Sequence, residues 1–274
     1  MSKNKEINTI NPFSNINWSH LQEQVEIKEI LDTVIKFHYK TMFRENNEIF
    51  NLEDDLDILA WAETVQNRDI LPETIEDIIN LDVDLHSKIH SFTAFDTELP
   101  IDMKVMGNLL YDAYGRESPY SSKRYPSAGA LYPIIPLLIV LKTNKNDKRL
   151  SPGCYVFDST KPRLLRITQW DKDDIRKVES LINISTDNLI APQCIAYALD
   201  FRRAITKYHE KGYRHALMEV GLMAQSFRES LQKYNNLGER CWSGFLDAPL
   251  THICGLNIRL CPIVLVQWFG MKVL

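Results

Sequence analysis

The sequence predicts a mixed sheet-and-helix domain, α/β or α+β, from about residue 100 to the end, preceded by a helical N-terminal region. Three observations lead there. Apolar runs of strand length, residues 134–141 and 263–269 among them, alternate with helical periodicity beyond Pro100. A long seam of Leu217, Val220, Ala224, Phe227, Leu231 and Tyr234 recurs at three and four, the spacing of a helix buried against another. The charge also divides at the same place. Residues 1–100 carry −12 and residues 101–274 carry +8, within a total of −4. Opposite faces of that kind help two regions dock, and a basic pocket for a phosphate-bearing ligand is the functional counterpart.

In chain order, residues 1–17 are polar and Asn-rich, with no apolar core of a secretory signal. Residues 18–43, 54–65 and 72–81 read as helices, the last with Pro72 in its first turn. His86 and His90 have the i, i+4 spacing of a metal pair but no third ligand nearby, so no metal site is expected. Residues 103–113 form a short amphipathic helix with Gly115 as its C-cap. A polar loop, 116–123, leads to Arg124-Tyr125-Pro126-Ser127-Ala128-Gly129-Ala130-Leu131-Tyr132-Pro133. Its small residues let backbone N–H groups approach a ligand, and Ser127 adds a hydroxyl.

Strand 134–141 follows, with Pro136 near its start. Residues 154–157 and 164–167 read as two strands joined by a turn. Residues 171–181 read as a helix and 190–199 as a strand. The long helix spans 212–234, then come a break at Leu237-Gly238, a loop at 242–247 and a short helix or turn at 250–254. The strand 263–269, closed by Gly270, ends the domain.

Several classes are excluded. The five cysteines, Cys154, Cys194, Cys241, Cys254 and Cys261, are scattered and odd in number, which argues against a disulfide framework or a zinc site and suits a reducing cytoplasm. Apolar runs fall short of the roughly 20 residues a membrane span needs. No basic cluster marks a nucleic-acid surface.

The stretch 124–133 resembles the flavin-binding loop of the SagB-type, McbC-like azoline dehydrogenases of the nitroreductase-like flavoprotein superfamily. Lys207-Tyr208-His209-Glu210-Lys211-Gly212-Tyr213-Arg214 with Ala216–Gly221 and Gln225 is similar to a second motif of that family, and Trp242-Ser243-Gly244-Phe245 with Asp247 to a third. Their order and spacing agree over about residues 100–270. The resemblance implies an α+β, nitroreductase-like FMN-binding fold with an N-terminal helical extension: residues 1–98 an accessory region and 99–274 the dehydrogenase domain. It also implies a homodimer with FMN at its interface. The expected activity is oxidation of thiazoline and oxazoline rings to thiazoles and oxazoles in a ribosomally made precursor peptide, beside cyclodehydratase subunits.

Removing two hydrogens from adjacent ring carbons sends one to a base as a proton and one to flavin N5 as a hydride. The resemblance gives Lys207 and Tyr208 the acid–base roles. It gives Arg124, Ser127, Ala128, Gly129, Ala130, Gln225, Gly270 and Lys272 to the FMN site, with Arg124 at the phosphate or ring carbonyls and Lys272 at the phosphate. One departure stands out. Many relatives carry an arginine-rich segment ahead of the first domain helix, where this chain has His86-Ser87-Lys88-Ile89-His90-Ser91. A catalytically idle scaffold subunit and a general NAD(P)H-dependent nitroreductase are the alternative readings.

Overall fold

The computed structural model describes residues 23–43, 56–65, 69–70, 74, 76–82, 90–99, 101–118, 121–143, 149–183 and 191–273. Its centre is a seven-stranded sheet in which every pairing is antiparallel. The strands are β1 (Phe95–Asp96), β2 (Ile134–Val140), β3 (Gly153–Asp158), β4 (Arg163–Gln169), β5 (Gln193–Leu199), β6 (Leu237–Trp242) and β7 (Ile263–Lys272). Across the sheet the order is β6-β7-β5-β2-β3-β4. β1 continues the β5 side of β7, because Met271 pairs with Asp96 on one edge and Leu237 on the other. Antiparallel pairing fits the α+β expectation rather than a parallel α/β sheet.

Alternation along the strands divides the core. One face turns Leu138, Val140, Ile195, Tyr197 and Phe269 toward helices α1 (Lys28–Thr41), α3 (Met103–Tyr114), α5 (Phe201–Tyr208) and α6 (Glu210–Leu231). The other turns Leu137, Ile139, Cys194, Val266 and Trp268 toward α4 (Lys172–Ile182) and α7 (Asp247–Ile253). The result is three layers. Each fully buried large side chain contributes roughly 1.5–3 kcal/mol. Pro136 is accommodated because β3 begins to pair with β2 only at Leu137.

The helices begin where capping groups occur. The Asp102 carboxylate accepts from the Lys104 and Val105 N–H groups at the start of α3, and Asp171 and Asp174 form a capping box on α4. Gly115 caps α3 as expected, its N–H donating to the Tyr111 carbonyl, but with extended rather than left-handed backbone.

A polar chain crosses the first core. Tyr114 and Tyr197 share a hydroxyl bond of 2.8 Å, and Tyr197 donates to Gln267 Oε1 at 2.5 Å. Gln267 Nε2 donates to Glu239 Oε2 at 2.7 Å, and Arg228 Nε donates to Glu239 Oε1 at 2.5 Å. Partnered in this way, the buried groups add specificity rather than cost.

The N-terminal region meets the sheet domain through α1. Leu31, Val34 and Ile35 enter the first core, and Asp32 pairs with Arg259 at 3.1 Å. Opposite charges do meet at this junction. β1 lies upstream of residue 99, so the sheet draws its first strand from the expected accessory region. α2 (Leu56–Val65) buries no residue, and Trp61 is 65% exposed.

The expected helix over 72–81 is absent from the described residues 74 and 76–82. Ile78, Ile79 and Leu81 there lie open to solvent, and without a face to bury so short a helix is marginal. Three elements escaped the sequence reading, β1 among them. β6 occupies the position of the expected break at Leu237-Gly238, and α5 fills residues 201–208.

Candidate functional site

The loop before β2 holds an unusual backbone. Gly129 has φ 63°, and Ala130 and Tyr132 have φ 55° and 48°. Left-handed geometry at non-glycine residues costs roughly 1–2 kcal/mol each, so side chains must hold the loop. Ser127 Oγ accepts from the Tyr132 N–H at 2.9 Å and donates to Glu219 Oε2 at 2.5 Å. Arg203 Nε donates to the Leu131 carbonyl at 2.5 Å, and the Lys123 N–H donates to the Tyr132 hydroxyl at 3.1 Å. Arg124 ties the loop's entrance to two helices, donating to Asp112 of α3 and Glu229 of α6, each at 2.7 Å.

Lys207 and Tyr208 close α5. Asp200 caps that helix by accepting from the Arg203 N–H. His209, at φ 54° and ψ −139°, breaks it, and α6 starts at the next residue. The corner requires Gly212, where a Cβ would lie 2.0 Å from the Ala204 carbonyl oxygen.

The corner aims the end of α5 at the loop. A Cβ on Gly129 would stand 2.7 Å from Tyr208 Oη and 3.1 Å from Lys207 Nζ. Lys207 Nζ lies 5.4 Å from the Tyr208 ring centroid. The His215 ring meets Tyr208 edge-on at 5.1 Å, and its Nδ1 is buried without a hydrogen-bond partner. The bare backbone of Gly129 thus sits beneath an amine and a phenol.

The surroundings are cationic. Lys123 stands over the rings of Tyr132 and Tyr125, and Arg116 over that of Tyr132. Burial, with Arg116 and Arg203 nearby, pulls the Lys123 ammonium down to about 8. Burial pushes the Glu219 carboxyl up, against the opposing pull of Ser127, Lys123 and Arg203. A cavity of about 560 Å³ opens beside the loop entrance, lined by Tyr111, Asp112, Arg116, Lys123, Arg124 and Lys233 among others.

The structure therefore gathers Ser127, Ala128, Gly129, Ala130, Lys207 and Tyr208. Gln225 reaches toward Glu229, the partner of Arg124, at 3.5 Å. Gly270 and Lys272 lie at the far end of β7, where Lys272 lines a second cavity that shares Tyr234 with the first. Lys272 Nζ donates to the Asn235 carbonyl at 2.9 Å and stands 4.5 Å over the Phe92 ring. Among the described residues no hydrogen bond joins that end to the loop. His86 and Lys88 lie outside the described residues, and no group of three or more His, Cys, Asp or Glu side chains within them could hold a metal ion. No described helix is long and apolar enough to cross a membrane.

Sequence reasoning assigned no role to Glu219, His215, Lys123 or Arg116. The available signal was Glu219 itself, a carboxylate beside Val220 in an apolar helix seam and one turn from His215.

No protein-family model matches the chain. It is 27% identical over 223 residues to the microcin B17-processing protein McbC of Escherichia coli, a match spanning 77% of this chain and 79% of McbC. A chain of the E. coli microcin synthetase McbBCD complex with truncated pro-MccB17 bound superposes on it with a TM-score of 0.79 at 24% identity, covering 92% of this chain and 96% of that one. A nitroreductase-like protein of Ralstonia eutropha JMP134 superposes with a TM-score of 0.56 at 17% identity, covering 71% and 88%. The fold is nitroreductase-like, and the chain matches McbC over most of its length.

Proposed function

We propose that this McbC-like protein is an FMN-dependent dehydrogenase that oxidises thiazoline and oxazoline rings to thiazoles and oxazoles in a precursor peptide, as part of bacteriocin-type biosynthesis. The observation that carries the reading is the placement of Lys207 Nζ and Tyr208 Oη over Gly129, in a chain similar to McbC.

The residues present suit a flavin. Gly129 carries no side chain of its own where Lys207 and Tyr208 approach, the loop offers backbone donors, and Arg116 and Lys123 line the adjoining cavity together with Arg124, which Asp112 and Glu229 hold at the loop entrance. In this assignment Ser127, Ala128, Gly129 and Ala130 form one wall, Gln225 approaches from α6, and Gly270 with Lys272 meets the phosphate. FMN supplies the hydride acceptor.

The chain's own residues handle the proton. Tyr208 Oη or Lys207 Nζ takes the proton that leaves the ring carbon. His215 packs against Tyr208 and restricts its ring.

A homodimer fits the outer face of α6, where Leu217, Met218 and Leu222 are 41%, 54% and 43% exposed and Gly221 has open space around it. The remaining partners in this reading are the precursor peptide and cyclodehydratase subunits, in the cytoplasm. Residues 99–274 act as the dehydrogenase domain and residues 1–98 as its accessory layer.

The test is to purify the protein, reconstitute it with FMN and supply an azoline-bearing peptide under oxygen. Loss of two hydrogens per ring by mass spectrometry is expected. A colourless protein that cannot be reconstituted overturns the reading in favour of an idle scaffold. Direct oxidation of NAD(P)H with no action on azolines assigns a general nitroreductase.

A further inference from the structure

Ser127 does not spend its hydroxyl hydrogen on the open face of its own loop. Its Oγ donates inward to Glu219 Oε2 at 2.5 Å, while accepting from the Tyr132 N–H at 2.9 Å. Glu219 lies 92 positions away on α6 and is 2% exposed. A buried carboxylate is costly unless it is paired and hydrogen-bonded. A leucine would fill such a helix position without that cost, and one oxygen here, Oε1, is buried with no partner. The carboxyl therefore does more than pack.

Its surroundings come from three elements. Ser127, Lys123 and Tyr125 face it from the loop and Arg203 from α5. His215 precedes it by one turn on α6 and touches Tyr208. Arg203 also holds the Leu131 carbonyl, and Lys123 holds Tyr132 through its N–H. All of these contacts converge on the segment whose Gly129, Ala130 and Tyr132 are left-handed.

We infer that Glu219 is a positioning residue: its carboxyl fixes the Ser127 hydroxyl, which fixes Tyr132, and the 127–132 loop is thereby shaped for a flavin before one arrives. The inference builds on the flavin-loop reading above and adds a residue to it. A pre-shaped loop binds more tightly because the ordering cost is met on folding.

The test uses Glu219→Leu, Glu219→Gln, Ser127→Ala and the Ser127→Ala/Glu219→Leu double variant of the full chain. Two readouts are taken: FMN affinity by flavin fluorescence, and hydrogen exchange of the Tyr132 amide without FMN. Glu219→Leu and Ser127→Ala are each expected to weaken FMN binding about tenfold or more and to speed Tyr132 exchange by a similar factor. The double variant is expected to be no worse than the weaker-binding single one. Glu219→Gln, whose amide oxygen still accepts from Ser127, is expected to restore most of both.

Tyr132 protection that is unchanged in Ser127→Ala overturns the inference, whether or not Glu219→Leu folds. Additive losses in the double variant overturn it as well. If the wild-type protein binds no FMN, the flavin reading fails by itself, and the exchange of Tyr132 still decides whether the latch exists.

Discussion

The Tyr208 hydroxyl occupies space that a methyl group on Gly129 would need: the two would be 2.7 Å apart. Gly129→Ala also places a Cβ on a residue at φ 63°, a strain of roughly 1–2 kcal/mol. The variant is expected to fold with a modestly lowered Tm, while displacement of Tyr208 lowers azole formation about 100-fold. Wild-type turnover by Gly129→Ala would dissociate Tyr208 from the chemistry.

Lys207→Ala and Tyr208→Phe remove the amine and the phenol without touching the loop backbone. Both variants are expected to retain bound FMN by absorbance and to lose about 100-fold or more in azole formation. Mass spectra showing full ring oxidation by the double variant contradict the assignment.

Arg124 and Lys272 are expected to act differently. The guanidinium of Arg124 is committed to Asp112 and Glu229, in half-exposed pairs of about 0–1 kcal/mol each. Arg124→Gln therefore loosens the loop and weakens FMN and riboflavin binding alike. Lys272→Gln weakens FMN alone if the phosphate lies at the end of β7. Titration with both ligands separates the two, and an equal loss for Lys272→Gln removes it from the phosphate site.

Leu222→Asp puts a charge in the middle of the exposed apolar face of α6. Sedimentation velocity is expected to show monomers with unchanged circular dichroism. A dimer that persists moves the interface elsewhere.

Stability is expected to depend on pH through the contacts of the N-terminal helix. Asp247 Oδ2 accepts the Phe43 N–H at 3.0 Å, and burial lifts its carboxyl from 3.8 to about 7. Between those values the unfolded chain has released a proton that the folded chain keeps. Stability thus falls as pH rises through the window, and the loss is complete above about 7. His38, whose Nδ1 meets the Tyr213 hydroxyl at 3.0 Å, runs the other way. Burial lowers it from 6.5 to about 4, so its contribution is present above 6.5 and is lost as pH falls toward 4. Asp247→Asn is expected to raise Tm at pH 7.5 and leave it little changed near pH 4. An equal shift at both pH values refutes the assignment.

How much of this could be read from the sequence depends on how local each signal is. The core strands announce themselves as apolar runs, and α6 as a seam. The 124–133 loop and Lys207-Tyr208 are contiguous motifs, and the structure brings them together at Gly129. β6 was hidden because only Leu237 among its buried residues is apolar: Gly238 packs on Phe92, and Glu239 pairs with Arg228 and accepts from Gln267. Its polar pattern makes sense only with those partners in place. Glu219 was hidden for the same reason, since Ser127 is distant in sequence.

β7 is the last strand along the chain, yet it is enclosed by β5 and β6 and also receives β1. The inner edge of the sheet therefore stays open during synthesis until residues 263–272 emerge. β5, buried along its whole length in the finished protein, must wait beside an empty place. Pairing Phe95 with Lys272 closes almost the whole domain in a single loop. A ribosome that stalls before this strand would release a chain with a bare apolar sheet edge, a substrate for chaperones or for aggregation.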